Sequence, residues 1–137
     1  MAFGLKTVVQ EPHEVVVERL RVAVEAEGLT VLTMTDVSAA LEESFGIDLP
    51  AQTAVGVCTP ALAHAALEAD SSVGLLVPCS IVVRATAADV TVVEAPKLQV
   101  IVAITGDPTL GPVIADASAR LRAAFHALTG QDGLVTG

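Results

Sequence analysis

Tryptophan and tyrosine are absent from this chain of 137 residues, and phenylalanine occurs only as Phe3, Phe45 and Phe125. Basic residues are scarce too: 7 Lys and Arg stand against 16 Asp and Glu, for a net charge of -9. Nucleic-acid binding needs a cationic surface for phosphates and, on single strands, aromatic platforms for bases. Both are lacking, so no nucleic-acid partner is expected. The same acidity disfavours anionic membrane surfaces and polyanionic substrates, and leaves small neutral or cationic ligands and metals open.

Long apolar runs are also missing, although hydrophobic residues make up 53% of the chain. Arg84, Asp89, Glu94 and Lys97 break the richest region, so no window approaches the roughly 18 apolar residues of a membrane span. Met1 to Gln10 has neither the basic start nor the apolar stretch of a signal peptide, which points to the cytoplasm. The length predicts one domain, residues 1–130, followed by a flexible tail, residues 131–137. Such a domain buries a core without staples. Only 17% of residues are charged, a low share that fits a sheet covered on both faces, with a partner subunit over one of them.

Strands are expected over Phe3 to Gln10, Leu29 to Met34 and Thr53 to Cys58, with a hairpin from Cys79 to Thr86 and Val90 to Glu94. Pro12 opens a helix with Val16, Leu20, Ala23 and Val24 on one face, and Gly28 caps it. Asp36 caps a short helix ending near Phe45, and Thr59-Pro60 starts another that runs to about Ala69. The last helix carries Leu110, Ile114, Ala117, Leu121, Ala124 and Leu128 inward and is capped by Gly130. Leu98 to Ile104 is β-branched and reads as a strand, with one or two helical turns as the alternative. The order of elements implies an α+β fold. It is a two-layer sandwich in which helices pack on one face of a mixed, mostly antiparallel sheet.

Two cysteines remain, in Val57-Cys58-Thr59-Pro60 and Val77-Pro78-Cys79-Ser80. Cys58 precedes a helix cap, where free N–H groups and the helix dipole favour a thiolate and a lowered pKa. Alternation puts Cys58 on a face with Ala54 and Gly56, and Cys79 with Ile81 and Val83 toward an apolar layer. Three readings stand side by side: two buried small hydrophobes, a shared redox or ligand site, and a metal site. The spacing fits neither Cys-x-x-Cys redox motifs nor zinc-finger pairs, and no metal-ligand cluster, triad or phosphate loop accompanies the thiols. His64 is the nearest imidazole by sequence, one turn into the helix. His13 and His126 read as solvated helix residues.

The blocks Cys58-Thr59-Pro60-Ala61-Leu62-Ala63 and Gly74-Leu75-Leu76-Val77-Pro78-Cys79, followed by a β-branched strand, resemble the bacterial and archaeal family known as domain of unknown function 302. In that family the blocks usually read Cys-Asn-Pro and Leu-Leu-Pro-Cys-Asn. Here Thr59, Val77 and Ser80 replace the first Asn, the second Leu and the second Asn. The resemblance implies a two-layer α/β fold and a homodimer, and it brings no activity, cofactor or catalytic residue. The chain is thus expected to be a homodimeric binding or accessory protein with a small ligand, a sulfur species or a soft metal near Cys58, Thr59, His64, Cys79 and Ser80. The alternative is a thiol redox enzyme or sensor, with Cys58 attacking and Cys79 resolving. In either case the ends of the two cysteine strands should meet in space, without a formed disulfide.

Overall fold

The computed structural model describes residues 4–129 and 135–136. Its strands are β1 (Gly4–Val9), β2 (Thr30–Asp36), β3 (Gln52–Cys58), β4 (Cys79–Ala87), β5 (Val90–Pro96) and β6 (Val135–Thr136), and its helices are α1 (His13–Ala26), α2 (Val37–Phe45), α3 (Pro60–Ala69), α4 (Val100–Thr105) and α5 (Gly111–Thr129). The strands form one sheet in the order β2-β3-β4-β5-β1-β6. Every pairing is antiparallel, so the parallel component of the expected mixed sheet is absent among the described residues.

Strand alternation decides which side chains meet the helices. Leu5 and Val9 of β1, Val55 and Val57 of β3, Ile81 and Val83 of β4, and Val93 and Ala95 of β5 are buried in one cluster with Val16, Leu20 and Val24 of α1 and Leu121, Ala124, Phe125 and Leu128 of α5. The intervening positions, such as Lys6 and Glu94, lie on the opposite face, which Arg84 and Glu94 cross as an ion pair. Arg19 of α1 pairs with Glu11 and donates to the carbonyls of Ala127 and Leu128, tying the start of α1 to the last turn of α5.

A second cluster sits beside the first, with Leu62 and Ala66 of α3, Val73, Leu98, Ile101 of α4, Leu110, and Ile114 and Ala117 of α5. It explains why the segment after β5 departs from expectation. Leu98 to Ile104 is not a strand: its backbone turns at Leu98 and enters α4 at Val100. β5 already has β4 and β1 as neighbours, so the chain beyond Pro96 has no free edge beside it. The three-residue spacing of Leu98 and Ile101 instead buries both in the second cluster. Gly106, at φ 67°, ends α4 in the left-handed conformation that favours glycine.

At the carboxyl end, Val135 and Thr136 pair with Thr7 and Lys6, so this part of the expected tail is an ordered edge strand. The Gly130 cap, the start of the first strand at Phe3 and the rest of the tail fall outside the described residues. Among the described residues no helix is long and apolar enough to cross a membrane.

Candidate functional site

The register of β3 and β4 brings the two cysteines together. Val57 lies directly opposite Cys79, and Cys58 is the next residue along β3. Cα atoms of directly opposed residues are about 5 Å apart, which puts those of Cys58 and Cys79 at about 6 Å. Both thiols are free. By alternation Cys79 shares the helix-covered face with Val57, while Cys58 ends β3 on the other phase.

Immediately after Cys58 the chain turns into α3. Thr59 is the cap: its Oγ1 accepts from the Leu62 N–H at 3.2 Å, its carbonyl accepts from the Ala63 N–H, and Pro60 occupies the first turn. The hydroxyl of Thr59, buried with its residue, therefore takes the helix donor that a Cys58 thiolate was expected to use. The Cys58 pKa is not lowered. Desolvation raises it, and desolvation pushes the more deeply set Cys79 up to about 12.

Cys58, Thr59 and Cys79 line one partly open, largely apolar cavity with Leu62, Leu76, Ile101 and other apolar side chains of both clusters. Its volume is about 20 Å³, room for little more than one water. Leu76 and Ile101 were not singled out from the sequence. Their apolar character carries no chemical signal, and only the position of α4 brings Ile101 to the thiols.

Two other expected site residues lie elsewhere. His64 is 77% exposed and faces Glu68 one turn on, at 3.2 Å. Ser80 is exposed, pairs opposite Gly56, and does not line the cavity. Among the described residues, no group of three or more His, Cys, Asp or Glu is placed to hold a metal ion. His13, read as solvated, is half-buried, and its Nε2 lies 3.1 Å from Thr53 Oγ1 near the far end of β3. His126 is exposed.

Gly56, opposite Ser80, permits close packing over β3. A Cβ built on it would collide with Thr33 Oγ1 and come within 3.0 Å of Pro78 Cγ. Only glycine lets β2 and the Val77-Pro78 segment lie this close over β3. The Val77-Pro78 peptide is cis.

No curated protein matches the sequence. Among solved structures, the crystal structure of an uncharacterized conserved protein DUF302 from Bacillus stearothermophilus superposes with a TM-score of 0.80 at 29% identity, over 93% of this chain and 99% of that one. Residues 5–128 match the family described as Domain of unknown function DUF302, from the first core strand to the last buried residue of α5. The chain belongs to the DUF302 family.

Proposed function

We propose that this protein is a cytoplasmic, homodimeric binding or accessory module that holds one small, soft species between Cys58 and Cys79. The observation that carries the reading is the shared cavity: two free thiols about 6 Å apart at Cα level border a space of about 20 Å³ with Thr59 and apolar side chains. That volume matches a species about the size of one water. Two sulfurs bordering an apolar niche suit a sulfur species or a soft monovalent ion, because soft sulfur ligands select ions such as Cu(I). Metal binding would release the thiol protons. His64 and Ser80 take no part in this reading, since neither borders the cavity.

The thiol-enzyme alternative is weaker on the same geometry. An attacking sulfur needs thiolate character, and desolvation raises the pKa of both cysteines.

Anaerobic titration with Cu(I) against a competing chelator, and separately with sulfide followed by native mass spectrometry, tests the proposal. One equivalent per chain is expected in one of the two arms. Cys58→Ser or Cys79→Ser should weaken binding at least tenfold, and His64→Ala should leave it unchanged. Absence of binding in both arms, or binding indifferent to both cysteine substitutions, refutes it.

A further inference from the structure

From Thr30 to Pro50 no residue is buried, although the segment carries Val31, Leu32, Met34, Val37, Leu41, Phe45, Ile47 and Leu49. Leu32 is 53% exposed, Met34 46% and Phe45 69%. Burial elsewhere follows alternation or helical period closely, so this stretch stands apart. α2 contains no buried residue at all, yet it is well built: the Asp36 side chain accepts from the Ala39 N–H and Gly46 closes the far end in the left-handed conformation. Val37, Leu41 and Phe45 recur every four residues along one stripe, with Glu42 flanking it and Glu43 on the far side. β2 is an edge strand that pairs only with β3. It has no Lys, no Pro and no charge before Asp36, so the irregularity between Val31 and Thr33 is the one device along it that opposes edge pairing.

We propose that a second copy of this chain docks on the β2–α2 edge, so that the two β2 strands run antiparallel about a two-fold axis and the α2 stripes pack across it. This locates the interface of the homodimer proposed above and rests on that reading. The occupant is a second copy for three reasons. An antiparallel edge strand is its own complement about a two-fold axis, giving the self-matching interface of a closed dimer. A standard interface takes about 800 Å² from each partner, roughly a tenth of this chain's 7380 Å² of surface; β2 and α2, with 7 and 9 residues and none buried, offer a patch of that order. Residues 30–50 include no Lys or Arg, which disfavours a polyanionic partner. The uncovered sheet face fits a dimer less well, because Lys6, Arg84 and Glu94 place charges across it.

Light scattering over a concentration series, combined with hydrogen exchange, tests the proposal. The wild-type chain should run at twice its 13.9 kDa mass. Leu32→Lys with Phe45→Glu, both at exposed positions, should raise the dimer dissociation constant at least a hundredfold while circular dichroism stays unchanged. In the unsubstituted protein, dilution through the dissociation constant should deprotect amides of β2 and α2 selectively. A wild-type monomer at micromolar concentration refutes both the dimer and this interface. A dimer that survives the double substitution, or whose dilution deprotects another surface and leaves β2 unchanged, refutes the interface alone. If the doubly substituted chain fails to fold, the exchange experiment decides.

Discussion

Alkaline pH should weaken this protein through Cys79, by an amount that follows from its burial. Desolvation pushes its thiol from an ordinary value of 9.0 up to about 12. A group whose folded pKa is raised adds stability that is fully present below the unfolded pKa and disappears as pH climbs through the folded one. The window therefore opens near pH 9 and closes near pH 12. From these two values the loss between pH 8 and pH 10 comes to about 1.4 kcal/mol, because at pH 10 the unfolded chain has ionised and the folded thiol has not. Urea midpoints of the wild type and of Cys79→Ala, at both pH values and in a Cys58→Ser background that removes the other raised thiol, isolate this contribution. Cys79→Ala is expected to be less stable at pH 8, where it loses packing, and to fall less steeply toward pH 10 by about 1.4 kcal/mol. Identical declines in the two proteins would show that Cys79 titrates alike folded and unfolded, and the apolar site would have to be abandoned.

Gly56→Ala should destabilise the fold by about 1–3 kcal/mol through overpacking, since Thr33 or Pro78 must move; an unchanged urea midpoint would contradict the close approach. Thr59→Ala should cost about 1 kcal/mol as the Leu62 N–H loses its cap, and Thr59→Ser should restore most of that in the same assay. Phe125→Ala should cost about 3–5 kcal/mol, because Phe125 is the largest fully buried side chain, and calorimetry should show the melting temperature fall accordingly.

Much of this architecture was legible from local pattern. Thr59-Pro60 and Asp36 marked helix starts because capping is a matter of adjacent residues, and the stripe from Leu110 to Leu128 marked α5 because helical burial repeats at a fixed period. Leu98 to Ile104 was misread for a reason of another kind. The β propensity of Val100, Val102 and Ile104 is real, but a strand also needs an edge, and whether β5 has a free one depends on β1, at the opposite end of the chain. The cysteines divide in the same way. Their meeting at the strand ends followed from two blocks flanking one helix. The raised Cys58 pKa did not, because it depends on desolvation by apolar side chains that α4 and α5 bring in. His64 shows the converse, since closeness in sequence put it beside Cys58 and the direction of the helix face put it in water.

The position of α5 bears on when this chain can fold during synthesis. One stretch of the helix supplies Leu121, Ala124, Phe125 and Leu128 to the first cluster, and its earlier turns supply Ile114 and Ala117 to the second. A nascent chain that has emerged only as far as Thr105 has all of β1 to β5 and most of its helices, yet both clusters stand open on the side where α5 will lie. The ribosome adds about 5–20 residues per second, so that exposure lasts roughly 1–5 seconds before α5 has followed. During that interval the apolar β strands depend on whatever shields emerging chains, and the final helix acts as the keystone that lets both halves close at once.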